Sequence, residues 1–452
     1  MGKTSHFASI VLLVAAIAAP SVRAQTMNMT GLTVRDAVSI ALKNNRDIIN
    51  AREEIHRADF RVTEAASSAY PQINGSWTMN KNLKPQVFVI SFPDSAGHLK
   101  KNRLKVGTDY NATLGANLTQ PLYVGGKVGT ALQAAKIYKK ISAETEKNIR
   151  QNIVMGTMQA FNGALLAREM RRIAGETLIQ AQKHLENVEA RKGAGVATEY
   201  DLLRARVNVA NMRPRLLEAE NSARISLLKL KEIMGVDPES LIDITGSFSE
   251  PDSSLLDRAN AEVALGNRPD VIAGKLTIDL YDKAVKIARG DFLPTLSAGT
   301  TFAYNGNFDQ LKYDASDWNP YWFADISLTF PIFTGFRNYA KYKQAKVDFS
   351  KARTDFSKTR DAVVIEVQEG IMNLRKALKQ IESQRLNVEE AERAVKLAGN
   401  FYENGKATQL EVLDAQLALE VAKTNMASAL YEGTIAEIAL KKSIGMLDAD
   451  QE

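Results

Sequence analysis

Residue types that commonly take part in catalysis or metal binding are few in this sequence, and they are dispersed. The four histidines are His6, His56, His98 and His184, and no motif places two of them together. The sequence contains no cysteine, which excludes disulfide bonds, cysteine-ligated metal sites and a cysteine nucleophile. It also contains no phosphate-binding loop and no nucleophile motif. We therefore expect a protein that is not an enzyme and that holds no resident cofactor or metal.

Two short motifs, TEYD at 198–201 and TQLE at 408–411, place an acidic residue three positions after a threonine. TQLE is a capping box, in which both side chains bond free backbone N–H groups at a helix N-terminus, and TEYD approximates one. Capping alone could explain Asp201 and Glu411. Asp414 lies about one turn further along the second helix, where a side chain cannot cap. Asp414 is therefore the better candidate for a role other than capping.

Of the 452 residues, 45% are hydrophobic and 24% are charged, which is typical of a folded protein. The formal net charge of +6, without a basic run interleaved with aromatic residues, is too small to argue for nucleic acid binding. Residues 1–24 resemble a secretory signal peptide, with a charge at Lys3, an apolar core at 10–19 and small residues before position 25. We therefore expect a mature protein that leaves the cytoplasm and has no transmembrane helix.

The sequence consists of two copies of one plan. An offset of 210 residues aligns identical residues: Pro121 with Pro331, Gly125 with Gly335, Thr198 with Thr408, Leu203 with Leu413, and Gly235 with Gly445. We divide the chain into a signal peptide (1–24), a first repeat (25–236), an equatorial linker (237–268), a second repeat (269–446) and a C-terminal tail (447–452). Each repeat carries a helix, a pair of strands, a long helix and a further helix.

The helical tracts carry a period of seven residues. In the second copy, large residues recur at Val367, Leu374, Ile381, Val388, Val395 and Tyr402, and mostly small residues occupy the other seam position. This heptad pattern predicts coiled-coil packing, in which small residues let helix axes approach closely. In the first copy, the tract from 125 to 192 would be about 100 Å long as a helix. Shorter helices are predicted over 34–69 and 198–234.

Between the proline pairs the apolar period changes to two. Four stretches, 73–80, 111–118, 296–305 and 322–330, alternate apolar with polar residues. Each is close to the length of a tilted transmembrane strand. Pro121 and Pro331 are expected to mark strand ends. An ordinary soluble sheet packed on the helices is the alternative, but the helical tracts already have seams of their own, so nothing amphipathic remains to cover a sheet.

Four strands cannot close a barrel, and an open sheet in lipid leaves two unpaired edges. Each unsatisfied backbone group costs several kcal/mol there, so several chains must pool their strands. The predicted fold therefore combines α structure with membrane β structure. It is a long coiled-coil α-helical barrel joined to a β-barrel that is formed by pooling four strands per protomer in an oligomer.

Several motifs resemble those of the TolC-like outer-membrane efflux proteins. LTVRDAVSIALKNNRDI is similar to the family's opening helix, and LTQPLYVGGKV and LTFPIFTGFRN are similar to its strand-to-helix boundaries. RKGAGVATEYDLLRARV and YENGKATQLEVLDAQLAL are similar to its two helical-hairpin tips. The resemblance covers nearly the whole mature chain. It implies a homotrimer in the outer-membrane lipid of a Gram-negative bacterium, with a helical tunnel that extends into the periplasm and docks onto a periplasmic adaptor (membrane fusion protein) serving an inner-membrane pump.

The resemblance also implies residue roles at the two tips. The residues that match the family's periplasmic gate are Tyr402, Glu411, Asp414 and Asp201, although Tyr402 also fits a seam position. The matching adaptor-contact residues are Gly195, Val196, Ala197, Thr198, Gly405, Lys406, Ala407 and Thr408, although turns need glycine and small residues for their own geometry. The family's basic residue after the tip glycine has no match in position, since Lys406 precedes Ala407, so we assign no ionic partner to the gate.

The expected function is a passive exit duct, gated at its periplasmic end, that conducts substrates across the outer membrane. Two alternatives remain open from the sequence: a protein-secretion duct of a type I secretion system, and a structural coiled-coil spacer or adaptor. The spacer predicts no strands with an apolar period of two. The sequence does not define the exported substrate, because the residues that select it belong to the pump.

Overall fold

The computed structural model describes residues 29–93, 97–310 and 315–447. The predicted signal peptide lies outside these residues, as does the predicted tail after its first residue. In chain order the elements are β1 (Met29–Leu32), α1 (Val34–Asn44), α2 (Arg46–Ser67), β2 (Gln72–Lys81), β3 (Val87–Pro93), β4 (Leu99–Lys105), β5 (Tyr110–Val124), α3 (Lys127–Gly193), α4 (Glu199–Met234), β6 (Ile242–Ile244), α5 (Leu255–Arg258), α6 (Ala261–Asn267), α7 (Pro269–Gly290), β7 (Thr295–Phe308), a 3-10 turn (Ala315–Asp317), β8 (Trp318–Thr329), α8 (Arg337–Glu403) and α9 (Gln409–Ser443).

The chain folds as two compact units. The first unit comprises the described residues up to Asn44 together with Thr157–Ser247, and it contains β1, α1, the C-terminal part of α3, α4 and β6. The second unit comprises Asn45–Gly156 together with the described residues from Phe248 onward. It contains the remaining strands and helices, including the N-terminal part of α3. The compact units group residues that contact one another, whereas the predicted division follows repeats along the sequence. That division therefore stays a prediction.

The long predicted helices are present, since α3 and α8 each have 67 residues, or about 100 Å. In the second unit, α8 packs along α9. Val367, Leu374 and Ile381 of the predicted heptad are buried. The small seam residue Gly370 is buried too, and a Cβ added there would lie 3.0 Å from Cδ1 of Leu440. The heptad prediction is therefore confirmed for this part of α8.

The helix predicted over 34–69 is interrupted. α1 ends at Asn44 and α2 begins at Arg46, and Asn45 between them is the N-cap of α2. The Oδ1 atom of Asn45 accepts a hydrogen bond from the Asp47 N–H at 2.8 Å. An asparagine side chain can replace a helical backbone bond in this way, which favours a helix start over a helix interior. The expectation of one continuous helix is wrong at this position.

The four predicted strands form one antiparallel sheet in the second unit, in the order β2-β5-β7-β8. The register places Trp77 opposite Leu114, and Leu114 opposite Tyr304. Directly opposed residues of antiparallel strands share a face, so most of the large apolar residues of the four strands lie on one side, while Tyr321 and Phe323 of β8 lie on the other. Within the described residues, β2 and β8 are the two edges of this sheet.

The prolines at the strand ends behave differently in the two copies. β8 ends at Thr329, before Pro331, as predicted. β5 instead continues through Pro121 to Val124, and its register against β7 shifts between Pro121 and Tyr123. A proline is tolerated inside a strand where the ladder is irregular, because no backbone N–H is needed there. The expectation that Pro121 ends its strand is therefore wrong.

Two strand pairs of the fold were not predicted. β3 and β4 form an antiparallel hairpin between β2 and β5. β1 and β6 form a short parallel pair in the first unit, with Leu32 opposite Ile244. Among the helices that the structure describes, none combines the length and the apolar character needed to cross a membrane.

Candidate functional site: two helical turns and a two-faced sheet

The turn between α3 and α4 is closed by a glycine in the left-handed region. Gly195 has a φ of 75°. The Gly195 N–H donates to the Lys192 carbonyl and the Val196 N–H donates to the Arg191 carbonyl, each at 2.9 Å. This Schellman-type arrangement satisfies the last carbonyl groups of α3. An ion pair between Lys192 and Glu199 spans the turn.

The turn between α8 and α9 repeats this geometry. Gly405 has a φ of 69°. Its N–H donates to the Tyr402 carbonyl at 3.0 Å, and the Lys406 N–H donates to the Phe401 carbonyl at 2.7 Å. Both turns thus require a residue that adopts positive φ without strain, and glycine does so. The glycines proposed for adaptor contact therefore also have a structural reason to be there.

Both threonine motifs form complete capping boxes. In the first, the Asp201 N–H donates to Oγ1 of Thr198 at 3.1 Å, and the Thr198 N–H donates to the Asp201 carboxylate at 2.9 Å. In the second, the Thr408 N–H donates to the Glu411 carboxylate at 2.6 Å. The hydrogen bonds from Thr198 hold the pKa of Asp201 below its ordinary value. Capping is therefore an observed role of Asp201 and Glu411.

The other two gate candidates differ in burial. Asp414 is exposed on α9 and forms no ion pair with the residues that the structure describes. Tyr402 is half-buried, as expected of a seam position. The offset of 210 pairs Asp414 with Arg204, so the two copies carry opposite charges at this position. Asp414 is thus the gate candidate whose charge is free to act on ions.

The gate candidates do not all belong to one unit. Tyr402, Glu411 and Asp414 lie around the turn between α8 and α9 in the second unit, and Asp201 lies in the first unit. Each turn presents exposed residues around one half-buried alanine, which is Ala197 or Ala407. The structure therefore places the predicted tip residues at two exposed turns of similar build.

The sequence reading missed Lys192 and Glu199. Their ion pair closes the first turn, and the equivalent positions in the second copy are Tyr402 and Gln409. The signal for the pair was a basic and an acidic residue that flank a glycine turn. The two turns thus share their backbone geometry and differ in the side chains that cross them.

One face of the sheet carries ladders of amide and hydroxyl side chains between β5 and β7. The amide of Asn111 donates to Asn307 at 2.6 Å, and the amide of Asn117 donates to the Thr301 hydroxyl at 3.0 Å. Between them, the Thr113 hydroxyl donates to Asn305 at 2.9 Å. These uncharged polar groups suit contact with water while they stabilise the strand pairing.

The opposite face of the sheet is apolar and exposed. Trp77, Trp322 and Ile326 are 67%, 77% and 74% exposed. On β5, Leu114 of the same face is 51% exposed. Neither the helices nor any other described element of the chain covers these residues, so the soluble-sheet alternative does not describe this structure. The sheet therefore has one polar face and one exposed apolar face that is suited to contact with an apolar phase.

The sequence matches the family model of the outer membrane efflux proteins over residues 37–236 and 260–446. The chain belongs to this family. This outer membrane efflux protein is 23% identical to the outer membrane efflux protein BepC of Brucella suis biovar 1 over 421 residues, which are 93% of this chain and 86% of BepC. It is 22% identical to the pyoverdine export outer membrane protein OpmQ of Pseudomonas putida over 408 residues, which cover 90% of this chain and 84% of OpmQ. A crystal structure of CusC matches with a TM-score of 0.75 at 20% identity, over 94% of this chain and 95% of CusC.

Family membership confirms the resemblance read from the sequence motifs. It also confirms the outer-membrane location and the general function of an efflux channel. The likeness to CusC shows that the helix-rich chain with its four-stranded sheet has the fold of these channels. The roles of single tip residues in this efflux protein stay predictions.

Proposed function

We propose that this efflux protein is the outer-membrane exit duct of a multi-part export system. Three copies pool their strands into one barrel, and their helices form a tunnel in the periplasm. A periplasmic adaptor joins the tunnel to an inner-membrane pump, which supplies the energy. The duct itself conducts passively and catalyses no reaction.

The two-faced sheet with its two open edges is the observation that carries this proposal. In lipid, the unpaired N–H and C=O groups of β2 and β8 would cost several kcal/mol each. Pairing β2 of one copy with β8 of the next removes every edge and turns the apolar face outward to lipid. The polar face of asparagine and threonine side chains then lines a water-filled interior. The alternative function of a coiled-coil spacer does not account for a sheet with an exposed apolar face.

We further propose that the periplasmic end is gated at the helical turns. Asp414 supplies a carboxylate to the passage, and three copies give a ring that attracts cations. Glu411 and Asp201 contribute by fixing the starts of α9 and α4 through their capping boxes. Tyr402 contributes by packing at the end of α8. These roles are supported by the exposure of Asp414 and by the bonds of the two caps.

The adaptor is proposed to contact both turns, at residues 195–198 and 405–408. Val196 supports this assignment, because its apolar side chain is 64% exposed at the tip of the first turn. An isolated apolar residue at a polar turn is a suitable anchor for a partner. Lys406 is exposed at the second turn and supplies a positive charge there.

The cargo is proposed to be selected by the pump. OpmQ is named for pyoverdine export, and CusC of Escherichia coli K12 is named a cation efflux system protein. One fold therefore serves unlike cargoes in these relatives. The protein-secretion alternative shares the same duct and differs in its pump, so identifying a co-purified pump decides between them.

Outer-membrane extraction followed by planar-bilayer recording tests the proposal. We expect a band on denaturing gels that runs as a trimer when unheated and as a monomer after heating. The trimer fraction should give stable ionic currents. A water-soluble single chain that needs no detergent and gives no current would contradict the duct.

A further inference from the structure

The hairpin of β3 and β4 lies at the end of the sheet that is remote from the helices. The helices α2, α3, α7 and α8 adjoin the sheet at its other end, where Gln72 faces Thr119 and Thr295 faces Thr329. The hairpin connects β2 to β5 beyond the pair Lys81 and Tyr110. If the sheet spans the membrane with its helices in the periplasm, the hairpin is on the outer side.

Ion pairs and hydrogen bonds fix the base of the hairpin to the sheet. Nζ of Lys105 lies 2.9 Å from a carboxylate oxygen of Asp109 and 2.9 Å from one of Asp309, which follows β7. The amide of Asn82 donates to the Thr108 carbonyl at 2.7 Å. The Val106 N–H donates to the Gln86 carbonyl at 3.0 Å. These contacts join the two arms of the hairpin at its base, and the ion pair with Asp309 ties that base to the end of β7.

One face of the hairpin is largely apolar. The register places Phe88 opposite Leu104, Ile90 opposite Asn102 and Phe92 opposite Lys100, so these side chains share a face. Phe88, Phe92 and Leu104 are 61%, 56% and 57% exposed. Exposed phenylalanine and leucine side chains on a small ribbon favour contact with an apolar phase.

Exposed cations lie on both faces of the hairpin. Lys101 and Arg103 lie on the other face of β4, and Lys100 lies beside Phe92. All three are exposed, and they form no ion pair with the residues that the structure describes. The segment 81–108 contains six lysine or arginine residues and a single acidic residue, in a chain whose formal net charge is +6. Most of the excess positive charge of the protein is thus concentrated here.

We propose that the β3–β4 hairpin binds phosphate-bearing lipid headgroups in the outer leaflet of the outer membrane. The face of Phe88 and Phe92 lies at the apolar boundary. Lys100, Lys101 and Arg103 reach the phosphate groups, since their long side chains bridge from apolar surface to polar headgroups. The proposal rests on the proposed function, because only a membrane-spanning sheet brings this end to a lipid surface.

Charge complementarity favours a phosphate-bearing lipid over other ligands of the hairpin. A second copy of the hairpin would bring like charges together, which is unfavourable. A soluble anion would neutralise the cations and leave the phenylalanine face in water. A phosphate-bearing lipid supplies both the anion and the apolar boundary, and each lysine or arginine near such a surface strengthens binding about fivefold.

The test compares two charge-matched variants of the full trimer. The first replaces Lys100, Lys101 and Arg103 with glutamine in the hairpin. The control replaces Arg353, Lys358 and Arg360 with glutamine, which are exposed on α8. Native mass spectrometry of the detergent-solubilised trimer measures binding of bis-phosphorylated lipid A, of its unphosphorylated form and of inorganic phosphate. We expect the hairpin variant to bind the bis-phosphorylated lipid roughly 100-fold more weakly and the control to bind it as the wild type does.

Equal lipid binding by the two variants would overturn the proposal, and so would equal binding of the unphosphorylated lipid by the wild type. Equally tight binding of inorganic phosphate would indicate a soluble-anion site instead. Planar-bilayer currents separate this outcome from failure of the duct, because the hairpin variant should conduct as the wild type does. A changed ion preference with unchanged lipid binding would place the cations at the pore mouth and overturn the proposal. If the triple variant does not form trimers, Arg103→Gln alone should weaken lipid binding about fivefold, and no change would refute the proposal.

Discussion

Three acidic residues near the helical turns have different physical surroundings. Asp201 and Glu411 each accept bonds from a threonine at the start of a helix, so their carboxylates are already engaged. Asp414 is exposed and lies one turn beyond the cap of α9. A carboxylate that is exposed in each of three copies can influence ions in a shared passage. Charge effects on conduction should therefore be largest at Asp414.

Replacing Asp414 with asparagine should lower the cation preference of the open channel and raise its single-channel conductance, because the substitution removes the proposed carboxylate ring that would hold cations. Reversal potentials in asymmetric salt measure the preference. Glu411→Gln is the matched control, since glutamine also completes a capping box while it removes the same charge. Unchanged currents in Asp414→Asn, or an equal change in Glu411→Gln, would contradict a specific role of Asp414 in attracting cations.

The cap at Asp201 should respond to pH. Its pKa is lowered in the folded protein by the hydrogen bonds from Thr198. A carboxyl group with a lowered pKa contributes its full stabilisation above its unfolded pKa of about 3.9, and the contribution is lost as the pH falls through the folded pKa. We therefore expect the exchange protection of the Thr198 amide to fall in that window, after correction for intrinsic exchange rates.

Hydrogen-exchange mass spectrometry of the first turn measures this effect. The loss should be about fivefold in protection, which corresponds to roughly 1 kcal/mol for an N-cap. In Asp201→Ala, which cannot accept these bonds, protection should be low at every pH. A wild-type profile with the same pH dependence as the alanine variant would contradict the capping contribution.

At the scale of elements, the patterns that extend over many residues were predictable. The seven-residue period located the long helix α8, and the alternation of apolar and polar residues located β2, β5, β7 and β8. Such patterns depend on repeated burial of one side, so single residues do not decide them. Single residues misled the prediction at two positions: the side-chain cap at Asn45 interrupted the helical pattern, and an irregular ladder let β5 continue through Pro121.

The hairpin of β3 and β4 was missed for a different reason. Its strands have seven residues each, and β4 reads LKKNRLK, which lacks the alternation of a strand with one buried face. Every residue of both strands is exposed, so no burial pattern marks them. Pairing between the two strands, and not burial, defines this element. Pairing partners follow from the turn between strands and are not encoded in a period.

The two faces of the sheet should tolerate charge very differently. Leu114 lies on the exposed apolar face, and its neighbour Thr113 lies on the polar face. In the proposed barrel, Leu114→Arg would place a charge in lipid near the middle of the strand and should cost about 2 to 4 kcal/mol. Thr113→Arg would place the same charge in the proposed water-filled interior. We expect the heat-modifiable trimer to be strongly reduced in outer-membrane fractions for Leu114→Arg only, and equal losses would contradict the assignment of faces.

At the scale of the whole molecule, the proposed passage and the proposed barrel would depend on contacts between copies, which a single chain does not contain. The residues of the proposed gate belong to two compact units, and the proposed passage requires an assembly of several copies. The sequence could therefore identify the turns and their caps, which are local, but could not establish which side chains meet across the passage. The same holds for the proposed closure of the sheet, which requires contacts between copies.

Closure of the barrel between copies can be tested directly, because the protein contains no cysteine. Within one chain, β5 and β7 separate β2 from β8, so the edge strands are about 14 Å apart. A disulfide needs Cα atoms within about 7 Å, so any bridge between β2 and β8 must join two chains. The test combines Ser76→Cys on the polar face of β2 with one cysteine on the same face of β8, which is Phe323→Cys, Asp325→Cys or Ser327→Cys. On oxidation, the pair whose positions lie opposite each other in the register between copies should give covalent dimers and trimers. After heating, Ser76→Cys alone should run as a monomer on denaturing gels, and a purely monomeric result for every heated pair would exclude edge-to-edge closure between these strands.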